Sequence, residues 1–275
     1  MTSIFSLAAL IIFVYMSLGF GLSLIKKRND IIDPMWGAGF AVVALGAYLA
    51  GEQGVVSLLL TILVLIWAIR LTTRLIKRIS HKTEEDFRYK KWREDWMKKG
   101  KVYFVLRSFL QIFMLQGVLM FMISLAFIAS NMLFQSVSET CFVGTFIADY
   151  SLAFLTLGII VWLIGFFFEV VGDSQLSKFI KDPENRGKIM QSGLWKYSRH
   201  PNYFGEATLW WGIWLIAVSA GVPLWTVLSP ITITFLLLKV SGVPMLEAQW
   251  DDNEEYQAYK KRTSVFLPLP QKESQ

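Results

Sequence analysis

The stretch Tyr150–Val171, YSLAFLTLGIIVWLIGFFFEVV, decides the class of fold: it is a long apolar run broken by a single charge, Glu169. About 20 predominantly apolar residues in helical form cross the roughly 30 Å hydrocarbon core of a bilayer. Six further runs of the same kind flank it: Ile4–Ile25, Met35–Ala50, Val55–Ile76, Val105–Ala129, Ala207–Ala220 and Pro223–Val240. The last two are short and joined by Gly221-Val222-Pro223, which predicts a tight helical hairpin with Gly205 and Glu206 in its first turn. Pro34 opens the second run, a position where helices tolerate proline. The sequence therefore predicts an all-α polytopic membrane helix bundle of about seven transmembrane helices.

The 275 residues are 54% hydrophobic and only 17% charged, too little charge to cover a soluble domain of this length. No linker or repeat divides them, so a single integral membrane domain over residues 1–275 is expected. The net charge of +6 could suggest nucleic acid in a soluble protein. Here the placement of the charges gives another reading. With the N-terminus outside, the inside segments are Lys26–Pro34, Arg70–Arg107, Gly172–Glu206 and Lys239–Gln275, and they hold all 27 Lys and Arg residues. That is the positive-inside pattern, with the C-terminus cytoplasmic and no nucleic-acid partner. The start, MTSIFSLAAL, lacks a basic region and reads as a retained helix. The one cysteine, Cys141, falls outside the cytoplasm and forms no disulfide framework.

In the long basic loop, Thr83-Glu84-Glu85-Asp86 reads as a helix start with Thr83 as N-cap, and Trp92 and Trp96 mark a face on the membrane surface. Ionisable groups at membrane depth are costly and mark sites; these are Asp33, Arg70, Arg74, Arg107, Glu169, Glu206 and Lys239. The densest polar sequence runs from Asp173 through Lys178 and Arg186 to Gly193–Glu206, GLWKYSRHPNYFGE. Pro201 forces His200 away from helix. The turn thus presents Tyr197, Arg199, His200, Asn202 and Tyr203 just before a helix, suited to anionic groups. Two histidines about 120 residues apart make no metal site. The soluble dinucleotide-binding glycine fingerprint is absent.

These residues carry a resemblance. GLWKYSRHPNYFGE, the tail SGVPMLE (241–247) with Tyr256, Tyr259 and Arg262-Thr263-Ser264, Asp33-Pro-Met-Trp-Gly37, and Asp86-Phe-Arg88-Tyr89 together resemble the bacterial branch of the steroid 5α-reductase superfamily. The resemblance covers most of the chain. It implies a membrane-embedded, NADPH-dependent oxidoreductase that reduces a carbon–carbon double bond in a lipid or steroid-like substrate, in a bacterial inner membrane, with the active site facing the cytoplasm. The cofactor-binding half would lie at approximately 150–270. By the same resemblance Asp173, Tyr197, Arg199, His200, Asn202, Tyr203 and Glu247 belong to cofactor binding, with Arg199 on a cofactor phosphate, and the basic Lys178 and Arg186 are expected to converge on the negative phosphates of NADPH. Asp33 and Glu206 are the candidate catalytic carboxyls. Asp33 lies near the place of a substrate-contacting glutamate in the steroid enzymes. No tyrosine stands around Trp67–Arg74, where those enzymes carry a catalytic one. The shorter Arg-His-Pro-x-Tyr core is shared with S-adenosylmethionine-dependent lipid and isoprenylcysteine methyltransferases, so that activity remains an alternative, as does a non-catalytic lipid-binding protein.

Overall fold

The computed structural model describes residues 4–80, 84–132 and 144–272. Among them the chain is helical, and the one bridge between extended segments joins Ser198 to Ser264. Six helical segments are long and apolar enough to cross a membrane: Ile4–Lys26, Ile32–Ala50, Val55–Ser80, Lys101–Ser130, Ser151–Lys181 and Leu224–Trp250. The expected span at Ala207–Ala220 is a helix over Pro201–Ser219, but its polar first turns keep it out of that class. The protein is thus a polytopic helical membrane protein. Cys141 and Thr83 lie outside the described residues.

Two compact units divide the chain, Met1–Ala148 with Ala220–Leu228, and Asp149–Ser219 with Ser229–Gln275. In the first, α1 (Ile4–Lys26), α2 (Ile32–Ala50) and α3 (Val55–Ser80) pack with α6 (Leu115–Ser130), which a π-helical segment, Ser108–Met114, joins to the preceding α5 (Lys101–Arg107). Small residues set the spacing. A Cβ on Gly37 of α2 would meet Thr72 Oγ1 at 2.6 Å and the Ala68 carbonyl at 3.1 Å on α3. α1 ends on Lys27, whose φ of 54° lets Arg28 N–H donate back to the Ser23 carbonyl at 3.1 Å. That left-handed stop turns the chain into the polar Arg28–Asp30 corner. The helix in the basic loop, α4 (Phe87–Met97), starts later than the sequence suggests: Asp86 is its N-cap and accepts from Arg88 N–H at 3.3 Å.

In the second unit, α7 (Gly144–Lys181) runs ten residues past the expected end at Val171. Hydropathy marks only the apolar part, and helix geometry continues through the polar turns that follow. α7 packs on α8 (Pro201–Ser219) along small residues spaced by seven: Ser151, Gly158 and Gly165 against Gly205, Gly212 and Ser219. A Cβ on Gly165 would lie 2.3 Å from Leu209 N, and one on Gly205 would lie 2.4 Å from Glu169 N. Ser151 Oγ donates to the Ser219 carbonyl at 2.7 Å. Such small-residue seams let membrane helices approach backbone to backbone. After α9 (Leu228–Phe235) a second π-helical turn, Leu236–Val240, leads to α10 (Val243–Glu247) and then α11 (Glu254–Arg262).

Candidate functional site

The α7–α8 seam ends at Gly172, where a Cβ would lie 3.2 Å from Asn202 N. This closeness brings Asp173, buried on α7, to Asn202 in the first turn of α8, whose Nδ2 donates to Asp173 Oδ1 at 3.0 Å. The bond fixes the amide orientation. It leaves Asn202 Oδ1 buried with no hydrogen-bond partner among the described residues.

The connection between α7 and α8 is held by the C-terminal tail. Trp195 Nε1 donates to the Gly172 carbonyl at 3.0 Å, Tyr259 O–H donates to the Trp195 carbonyl, and Ser198 Oγ donates to the Phe266 carbonyl at 2.8 Å. Arg199 N–H donates to the Ser264 carbonyl at 2.8 Å, and Leu269 N–H to that of Tyr197 at 3.0 Å. Burial pushes the Tyr256 and Tyr259 phenols well above the ordinary tyrosine value.

Glu247 is the hub of this half. Its carboxylate accepts from Arg199 Nε at 2.9 Å and Nη2 at 3.4 Å, lies 3.0 Å from His200 Nε2, and meets Lys260 Nζ at 3.3 Å. Arg199 Nη1 donates to the carbonyls of Lys260 and Thr263 at 2.8 and 2.9 Å. Four of the five guanidinium N–H donors are thereby spent inside the protein. Its geometry is that of a brace between loop, α10 and tail, and it also lines the cavity described next. His200 stacks on Tyr203, ring centroids 5.4 Å apart and 8° from parallel.

A cavity of about 630 Å³ opens beside these groups. Arg199, His200 and Asn202 form one wall, and Trp195, Trp250, Tyr256 and Tyr259 add aromatic faces. Exposed Lys181, Arg186 and Lys188 stand at its rim. Of the residues expected from sequence, the cavity gathers Arg186, Arg199, His200 and Asn202, with Asp173 and Glu247 directly behind them. It does not gather Lys178, Tyr197, Tyr203 or Glu206; Tyr197 is 43% exposed and Glu206 is half-buried on α8. Lys181, Met190, Trp195 and Trp250 are lining residues that the sequence reading did not single out. Lys181 alone had a signal, one helical turn beyond Lys178.

Asp33 belongs to the other unit and to another cluster. Tyr89 O–H donates to Asp33 Oδ1 at 2.7 Å, and Arg88 Nη2 lies 3.4 Å from Oδ2. Burial, with the Asp33 charge next, pushes the Tyr89 phenol well above its ordinary value, so it stays protonated at neutral pH. Arg88 Nε bonds Asp86 Oδ1 at 2.9 Å, and Asp86 N–H donates to Asp30 Oδ2 at 2.9 Å. Burial alone would raise Asp30, but its two 2.7 Å bonds from Arg28 and that N–H outweigh it and hold the carboxyl below the usual range. Folding thus brings a phenol from α4 to Asp33.

No group of His, Cys, Asp and Glu among the described residues could hold a metal ion. The family of proteins of unknown function DUF1295 matches residues 19–263. The chain is similar to 3-oxo-5-alpha-steroid 4-dehydrogenase 1 of Rattus norvegicus, 28% identical over 116 residues, which is 42% of this chain and 41% of that protein. The same-named protein of Mus musculus is also 28% identical over 116 residues, 42% of each chain. The match spans less than half the length of either curated relative. No solved structure matches. With nearly the whole span between its first and last helices matched, the chain belongs to the DUF1295 family, and its distant similarity to the two dehydrogenases is consistent with the steroid 5α-reductase-like superfamily.

Proposed function

We propose that this protein is a membrane-embedded, NADPH-dependent reductase of a carbon–carbon double bond in a lipid or steroid-like substrate, with its active site facing the cytoplasm. The observation that carries the reading is Asn202 Oδ1, a buried acceptor without a partner among the described residues, in the wall of the 630 Å³ cavity. A buried acceptor of this kind costs about 1–3 kcal/mol unless a ligand donor completes it. The carboxamide of a nicotinamide is such a donor. The rim cations Lys181, Arg186 and Lys188 suit phosphates, and the aromatic faces suit flat rings. The volume is that of a cofactor pocket. These features fit NADPH, which when bound supplies a hydride.

The chain's own residues then have distinct tasks. Asp173 fixes the Asn202 amide. Glu247 holds Arg199 and His200 in the wall, and His200 in turn is seated on Tyr203. Asp33, which accepts from the buried and protonated Tyr89, and Glu206 are the two candidate catalytic carboxyls, with Tyr89 as a candidate proton donor. The all-inside placement of Lys and Arg supports the cytoplasmic orientation, and the resemblance to a bacterial branch supports an inner membrane.

The test is thermal stabilisation of detergent-purified protein by NADPH, NADH and S-adenosylmethionine in parallel, for the wild type and Asn202→Ala. Stabilisation of the wild type by NADPH, lost in a folded Asn202→Ala, is expected. Stabilisation by S-adenosylmethionine alone would turn the assignment to methyl transfer.

A further inference from the structure

One cation pair in the first unit lies apart from the groups assigned above. Tyr103, Arg107 and Gln111 are spaced by four along the start of the Lys101–Ser130 span, and Lys99 stands in the turn just before it. Lys99 Nζ and Arg107 Cζ each lie 5.3 Å from the Tyr103 ring centroid, so two cations converge on one aromatic face system. Arg107 is steered there: its Nε donates to Tyr103 Oη at 3.1 Å and its Nη1 to Gln111 Oε1 at 3.0 Å. Among the described residues neither cation meets a carboxylate, whereas nearby Lys90, Arg93 and Lys98 are all taken by Glu84, Glu85 and Asp95.

The adjacent stripe is apolar and open. Val102, Leu106 and Leu110, again spaced by four, are 73%, 55% and 58% exposed. Two cations gathered at one ring thus sit beside a strip of uncovered hydrocarbon at the charged end of a span. The two cations add to one positive spot at the Tyr103 ring, and an anion there is attracted by both. The helix also departs from α geometry immediately below, at the π-helical Ser108–Met114, a distortion often found at functional positions.

We propose that Lys99 and Arg107, on either side of Tyr103, form a binding site for the phosphate of an anionic phospholipid whose acyl chain lies along Val102, Leu106 and Leu110. The cations recognise the phosphate by charge-assisted hydrogen bonding, and the long side chains reach the interface while their stems stay on the apolar strip. A zwitterionic lipid offers the same phosphate together with a cation that the pair repels, so the site selects net negative charge. A basic surface alone attracts anionic lipid diffusely; here the two cations are held at one ring, which predicts discrete occupancy.

The experiment is native mass spectrometry of the full-length protein released from detergent after incubation with equal amounts of phosphatidylglycerol and phosphatidylcholine. The wild type is expected to retain one phosphatidylglycerol at least fivefold over phosphatidylcholine. Lys99→Gln with Arg107→Gln, both on exposed positions, should lose that preference with an unchanged melting temperature, and Arg107→Gln alone should lose part of it. Lys90→Gln with Lys91→Gln is the control for diffuse charge and should keep it. Equal retention of the two lipids by the wild type, an unchanged preference in the double variant, or equal loss in the control would each overturn the site. Displacement of the lipid by millimolar inorganic phosphate would overturn the lipid assignment in favour of a free-phosphate site.

Discussion

A single carboxylate, Glu247, shows how much of the second unit rests on one residue. It is 7% exposed and meets Arg199, His200 and Lys260. Removing one partner of a buried ion pair leaves the other charge without compensation and costs about 3–5 kcal/mol. Glu247→Gln should therefore lower the melting temperature markedly and weaken NADPH binding in the protein that remains folded. Glu247→Asp, which keeps the charge, should lose less, and thermal melts with equilibrium binding would read both effects. Tyr259 carries a pH signature. Its folded value is raised by burial, so its contribution to stability is fully present below about pH 10, the ordinary tyrosine value, and is lost as pH rises above it. Melting temperature should fall above that pH, and less steeply in Tyr259→Phe. The sequence marked Asn202, His200 and Glu247 because they lie in recognisable motifs. It did not reveal that Arg199 is spent on Glu247 and two tail carbonyls, because partners 48 to 64 residues away are set by folding, not spacing.

At the scale of elements, hydropathy located the helices but not their polar continuations. α7 carries Asp173 onto a helix rather than a loop, because helical hydrogen bonding does not stop where the apolar run ends. The seven-residue spacing of Gly158, Gly165 and Gly172 on α7 and of Gly205 and Gly212 on α8 is plain in the sequence. What was missing was the knowledge that these two helices face each other. Their seam positions Gly172 against Asn202 and so builds the Asp173–Asn202 bond. Gly165→Ala puts a Cβ 2.3 Å from the backbone nitrogen of Leu209, where no flexible side chain can yield. The helices must separate, and a loss of about 1–3 kcal/mol or more is expected, as for overpacked cores. Gly21→Ala on α1 meets nothing within 4 Å and should be neutral or slightly stabilising. Melting temperatures of the two variants, together with NADPH binding to Gly165→Ala, distinguish a seam from mere helix propensity.

For the whole molecule, the division into two units separates two polar clusters. The cavity with its unsatisfied amide oxygen lies wholly within the second unit, while Asp33 and Tyr89 lie in the first. Composition and charge placement announced a polytopic membrane protein, and family likeness announced a reductase. Neither could announce that Tyr89 of α4 would meet Asp33, since residues 33 and 89 are brought together by folding. If the reductase reading holds, damage in the first unit should leave cofactor binding intact and impair turnover. Asp33→Asn keeps the side-chain volume and can still accept from Tyr89, but removes the charge that orients and balances Arg88. Loss of a group acting in proton transfer typically costs 10²–10⁴-fold. With an unsaturated lipid substrate in hand, kcat for Asp33→Asn should fall by about that range while the NADPH dissociation constant stays within a few-fold. Tyr89→Phe should follow the same pattern, because it deletes the proton and spares the cavity. A dissociation constant that rises as kcat falls would instead make Asp33 part of the framework that holds the fold, and the proton source would have to be sought elsewhere, first at Glu206.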